Sequence, residues 1–123
     1  MISTLLLFLA LLQLKHWFID FVDQTDAEVC CKGIYGNWTG MYHSVKHGGA
    51  TFLILFLFFE NEVSGMWAFV LGFLDFLTHY HIDWAKMNWG NRDIKTKQFW
   101  AHLGADQMAH QLTYIGLAYL ITI

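Results

Sequence analysis

Proline is absent from the chain, charge is scarce and cysteine occurs only twice. Without proline, helix interiors keep every backbone donor and meet no ring clash, so long uninterrupted helices are the default. Only 14% of the residues are charged, against about a quarter in an average soluble domain. The net formal charge is -3 and no basic stripe is present, so no nucleic-acid partner is expected. The two cysteines, Cys30 and Cys31, are neighbours, which bridge each other only with strain and make no disulfide framework. In a reducing cytoplasm they are expected to be free thiols.

What the chain has instead is apolar surface. Hydrophobic residues make up 56% of its 123 residues, a length that suits one domain, 1–123. Four apolar segments stand out, at about 2–22, 42–59, 66–84 and 99–123. Each approaches the roughly 20 residues that a helix needs to cross about 30 Å of hydrocarbon, the second least convincingly. Stretches such as "TLLLFLALLQL" and "TFLILFLFF" are apolar all round rather than striped, as lipid-facing or fully buried helices are. The expected fold is all-α: an integral membrane bundle of four transmembrane helices in up-down order, joined by short connections. The first segment lacks the basic start and small-residue cleavage site of a leader, and is expected to be retained.

The connections suggest an orientation. The turn "ENEVSG" at 60–65 carries two glutamates and no Lys or Arg, whereas 85–98 holds Lys86, Arg92, Lys95 and Lys97, and Lys32 and Lys46 lie in or beside the first long connection. The positive-inside rule then puts both long connections in the cytoplasm and both termini outside it, in a bacterial inner membrane. The first connection also contains Asp23, Asp26 and Glu28, of which Asp23 and Asp26 read as solvated acids. The "NWT" triplet at 37–39 fits a glycosylation pattern that a cytoplasmic loop or a bacterial source makes irrelevant.

Chemistry resides in the histidines and aspartates. His16 and Asp20, His43 and His47, His79 and Asp83, and Asp106 and His110 are four pairs spaced four apart, one pair in each apolar segment. That spacing puts both members on one helix face, where they can grip a single cation. Because successive spans alternate in direction, late positions in spans one and three and early positions in spans two and four share one leaflet, the cytoplasmic one, with His110 somewhat deeper. Charged carboxylates gathered in an apolar layer are costly unless cations or protons compensate them. The eight residues His16, Asp20, His43, His47, His79, Asp83, Asp106 and His110 exceed what one tetrahedral zinc uses, and fit a centre of one or two divalent ions. Zinc is the expected metal, with manganese or iron as alternatives. Gln24, Asp75 and Gln107 are expected to support the ligands from behind. His81 points off the face shared by His79 and Asp83 and, like His102, reads as a hydrogen-bonded interfacial residue. The competing reading of the whole set is a polar bundle core or a proton path without metal.

The segments "HWFIDFVDQT" (16–25), "HSVKH" (43–47), "HYHIDWAK" (79–86) and "DQMAH" (106–110) together resemble a family of small phage and bacterial multi-span membrane proteins catalogued as a domain of unknown function. More distantly the arrangement is similar to inner-membrane proteins labelled metal-dependent hydrolases. The resemblance implies a helical membrane protein with a metal-type polar centre and supplies no substrate. The stretches "GIYGNWTGMY" (33–42) and "MNWGNRDIKTKQ" (87–98) have no counterpart in that pattern.

As an enzyme, such a centre suits metal-assisted hydrolysis, with Asp83 or Asp106 accepting the proton of a metal-bound water. A lipid or lipid-linked phosphoester at the cytoplasmic leaflet is the expected substrate, its anionic headgroup attracted by Lys46 and Lys86. The alternative is a non-enzymatic membrane protein in which ions staple the helices, in a homo-oligomer or as a subunit of a larger assembly; an ion or proton carrier is a third.

Overall fold

The computed structural model describes residues 2–123; Met1, where the expected domain begins, lies outside them. The architecture is all-helical, with no strand among the described residues. Helix α1 spans Ile2–Trp17 and runs directly into a π-helical turn, Phe18–Asp23; a short helix α2 covers Asp26–Cys31. Three long helices follow: α3 (Trp38–Phe58), α4 (Gly65–Trp89) and α5 (Lys97–Leu120).

The four apolar segments thus become the four long helices, with shifted ends. Helix α3 starts at Trp38 rather than near 42, because Asn37 Oδ1 accepts from the amides of Thr39 and Gly40 at 2.9 and 3.4 Å. Ser64 and Thr96 cap α4 and α5 in the same way. Helix α4 continues beyond 84 to Trp89 before Gly90 ends it, so "HYHIDWAK" lies wholly within a helix. Helix α2 owes its start to a capping box in which Thr25 and Glu28 satisfy each other's backbone amides.

The helices close into a ring: α1 packs on α3 and α5, α3 on α4, and α4 on α5. Their directions alternate. At one end the start of α1 meets the end of α3 (Phe8 against Phe59, ring centres 5.4 Å apart), and the start of α4 meets the end of α5 (Trp67 Nε1 donating to the Leu120 carbonyl). This end holds the apolar core of Phe8, Leu12, Leu55, Phe59, Leu71 and Tyr114, all fully or almost fully buried. The polar pairs fill the other end.

Helices α3 and α4 approach most closely at Gly48 and Gly72. A Cβ on Gly48 would lie 2.5 Å from the Gly72 carbonyl oxygen, and one on Gly72 would lie 2.7 Å from the Gly48 oxygen. Only glycine fits at either position. This contact lies beside His47 and about two turns from His79, and so sets the spacing between the histidines of α3 and α4.

Among the described residues, one helical stretch, Ile2–Asp23, is long and apolar enough to cross a membrane on length and composition. Helices α3, α4 and α5 have the length but not the mean hydropathy.

Candidate metal centre

All eight His and Asp residues of the four-apart pairs converge between the long helices, and seven of the eight are buried, Asp20 being only slightly exposed. Asp20 is the hub. It sits in the π-helical turn, a widened helical form frequent at functional sites. Its Oδ1 lies 2.9 Å from His43 Nε2, 3.0 Å from His47 Nε2 and 3.6 Å from His79 Nε2, and its Oδ2 is 3.2 Å from His16 Nε2. Four imidazoles from three helices thus aim the same ring nitrogen at one carboxylate.

Asp83 is a second hub. Its Oδ2 is 3.3 Å from His79 Nε2 and 3.5 Å from His43 Nε2, while Oδ1 is 3.5 Å from His110 Nε2. His110 Nε2 also lies 3.6 Å from Asp106 Oδ1. The rings of His47 and His79 stack at 3.5 Å, and those of His79 and His110 at 4.2 Å. Three groups have one ligand atom per residue, all within 4.8 Å of one another: Asp20–His43–His47–His79, His16–His79–His110, and Asp83–Asp106–His110. Donors around a tetrahedral ion with bonds of about 2.0 Å sit about 3.3 Å apart. The spacings around Asp20 bracket that value.

Satisfaction of hydrogen bonds points the same way. Among the described residues, His110 Nε2 and Asp106 Oδ1 are buried without a hydrogen-bond partner, while Asp83 Oδ2 is met by the Lys32 ammonium at 2.8 Å. Buried polar atoms almost always have one, and orphaned lone pairs turned towards one another fit a cation. The Nδ1 atoms of His43, His47 and His79 are also unpartnered, so these rings are held by packing rather than by the carboxylate or carbonyl partners common behind metal-bound histidines.

The supporting residues differ from one another. Gln107 bridges two of the eight: its Oε1 is 3.0 Å from His16 Nε2, and its Nε2 donates to Asp106 Oδ2 at 3.0 Å. Gln24 Oε1 is buried and has no partner among the described residues. Asp75 touches none of the eight through its carboxylate; it accepts from Thr51 Oγ1 at 2.5 Å and pairs with Lys15. His81 lies on the exposed face of α4, where its Nδ1 faces the Leu77 carbonyl and its Nε2 the Tyr35 hydroxyl. His102 is exposed and accepts from the Asn91 amide. Lys46 is bound to Asp23 at 2.5 Å and Glu28 at 2.7 Å, whereas Lys86 lies 3.6 Å from Asp106 Oδ2.

Three further residues belong to the site. Lys15 is buried, pairs with Asp75 and donates to the His47 carbonyl at 3.0 Å, tying α1 to α3 and α4 just beneath the histidines. The Tyr114 hydroxyl is 2.8 Å from His16 Nδ1. Lys32, at the end of α2, places Nζ 2.8 Å from Asp83 Oδ2. In sequence Lys15 and Lys32 look like ordinary boundary lysines, and their partners lie 60 and 51 positions away. The one local signal was the Thr25-x-x-Glu28 pattern, which starts the helix that delivers Lys32.

A family model described as "Protein of unknown function (DUF3307)" matches residues 6–123. No curated protein and no solved structure matches the chain.

Proposed function

We propose that this chain, which belongs to the DUF3307 family of proteins of unknown function, is a membrane-embedded metal-dependent hydrolase acting on a lipid or lipid-linked phosphoester at the cytoplasmic leaflet. The observation that carries this reading is the convergence of His16, His43, His47 and His79 Nε2 on the carboxylate of Asp20. Neutral imidazoles and carboxylates are the donors that divalent zinc, manganese or iron takes. Eight such donors in three groups suit one or two ions.

The two ends of the centre differ. Asp20, His43, His47 and His79 supply four protein donors, a full tetrahedral set. Asp83, Asp106 and His110 supply three, which leaves a position for water or substrate, and both carboxylates line a polar cavity of about 70 Å³. A divalent ion held there would acidify its bound water towards neutrality. Asp83 or Asp106 would take up that water's proton as its oxygen bonded to phosphorus and the ester P–O bond broke, and would return the proton to the departing alkoxide.

Four membrane spans are part of this reading. Large apolar side chains face outward on every long helix, among them Leu7, Leu14, Leu57, Phe69, Leu112 and Ile115, more than a soluble monomer usually exposes. With lysines concentrated near the polar end, that end faces the cytoplasm and both termini lie outside. A C-terminal tag reachable by an impermeant label only from outside the cytoplasm supports this orientation; labelling from the cytoplasm reverses it.

A second reading rests on the four-donor set. A site filled by protein atoms is the arrangement of a structural ion, and in that case the chain is a metal-stapled membrane subunit of a homo-oligomer or larger assembly. Elemental analysis of protein extracted gently and without chelator decides whether there is a metal, with one or two equivalents expected; none would overturn both metal readings. Hydrolysis of a fluorogenic phosphoester that stops on chelation and returns with metal separates enzyme from staple.

A further inference from the structure

Two lysines stand beside the carboxylates of the three-residue group. Lys32 reaches Asp83 from the end of α2, and Lys86 reaches Asp106 from α4. Both line the 70 Å³ polar cavity, as does Gln24. Lys46 is unlike them, being bound to two carboxylates outside the centre.

Three carboxylates and two lysines line this cavity. Asp20 is met by the imidazoles of His16, His43, His47 and His79, which leaves the carboxylates of Asp83 and Asp106 facing two ammonium groups. A divalent cation bound by Asp83, Asp106 and His110 takes over both carboxylates and leaves two positive charges of the lysines facing the cavity. A phosphoryl dianion restores the balance. Lysine ammonium groups also bind phosphate oxygens well, as point charges on flexible stems. Lys86 and Leu103 border, in addition, a larger groove of about 450 Å³ that is also lined by Arg92, Asp26, Val29, Met87 and Phe99. Such a groove is apolar enough for a chain and basic enough for its headgroup.

We infer that Lys32 and Lys86 form an anion subsite that holds the phosphoryl group of the substrate against the Asp83–Asp106–His110 group, with the Phe99–Leu103 groove receiving the rest of an amphiphilic phosphoester. The inference rests on the metal reading above. It assigns Lys32, rather than Lys46, as the partner of Lys86, and it makes the substrate a phosphate ester with a terminal, doubly charged phosphoryl group.

The test uses the full chain in detergent micelles loaded with Mn²⁺, with metal content measured first. Inorganic phosphate and then short-chain phosphatidic acid are titrated in, and paramagnetic broadening of their phosphorus resonances reports binding beside the ion. Wild-type protein is expected to broaden phosphate. Lys32→Gln and Lys86→Ala should keep their Mn²⁺ and bind phosphate about tenfold more weakly, the size of one charge-assisted contact. A third of the Lys86 side chain is exposed, so Lys86→Ala keeps the test open if Lys32→Gln does not fold. Phe99 lies in the groove and not on the small cavity, so Phe99→Ala separates the sources of the phosphoryl group: weakened binding of phosphatidic acid alone identifies a lipid, and unchanged binding of both overturns the groove assignment. Lysine variants that hold Mn²⁺ and bind phosphate like wild type overturn the subsite, as does Mn²⁺-loaded wild type that broadens neither ligand. Wild type that binds no Mn²⁺ overturns the metal reading and the subsite with it.

Discussion

The Nε2 atoms of His43 and His79 face each other between α3 and α4 at 3.3 Å. Two neutral rings so placed share at most one proton, and both nitrogens also face Asp83 Oδ2, at 3.5 and 3.3 Å. Hydrogen bonding alone serves this triangle poorly. A cation that accepts a lone pair from each corner serves it well.

Asp83→Ala is therefore expected to lower bound metal roughly tenfold or more, since even outer-sphere changes shift metal affinity by about 10–100-fold. His81→Ala, on the exposed face of the same helix, should leave metal content unchanged. Elemental analysis of the two variants side by side checks this, and equal losses would mean that the face assignment is wrong.

Lys15 and Asp75 form an ion pair buried among the helices. Removing one partner leaves the other charged and unpaired, so Lys15→Met alone should destabilise the bundle by about 3–5 kcal/mol. Replacing both, Lys15→Met with Asp75→Leu, should recover much of that loss. Denaturant unfolding in micelles gives the comparison; a double variant less stable than either single one would contradict it.

Gly48→Ala should cost about 1–3 kcal/mol by overpacking, because its new methyl meets the Gly72 carbonyl. It should also reduce metal content, since the α3–α4 spacing places His43 and His47 against His79. Gly49→Ala, whose methyl meets nothing within 4 Å, should be neutral or slightly stabilising. Thermal unfolding distinguishes the two neighbours.

Glu28 gives a pH dependence outside the helical spans. Burial by itself would raise its pKa, but the bonds from Lys46 and Thr25 prevail and hold it below the ordinary glutamate range. A carboxyl group with a depressed folded-state pKa stabilises above its unfolded value, near 4.3, and that contribution disappears as pH falls through the folded value. The stability gap between wild type and Glu28→Gln should be full at pH 7 and shrink in acid below pH 4. A gap that widens on acidification would contradict the sign.

The fold was legible because period and length agree: four apolar runs separated by polar turns became four long helices. The eight converging residues were legible because two side chains four apart share a helix face, and alternating direction puts early and late pairs at one level. The ends were less so. Hydropathy places the start of the second helix near 42, where polarity falls, whereas the backbone starts it at the Asn37 cap. Lys15 and Lys32 were missed for a different reason. Each is defined by a distant carboxylate, and no local pattern distinguishes a lysine that snorkels to water from one that turns inward.

The floor beneath the centre has a consequence for leakiness. Below Lys15 and Asp75, the bundle is closed by Phe8, Leu12, Leu55, Phe59, Leu71 and Tyr114, which pack without exposed surface between them. In electrical terms this layer would be an insulator in series with a chamber lined by His and Asp. On the bilayer reading proposed above, whatever entered the chamber would leave by the same mouth, and a bilayer containing many copies is expected to conduct no better than bare lipid.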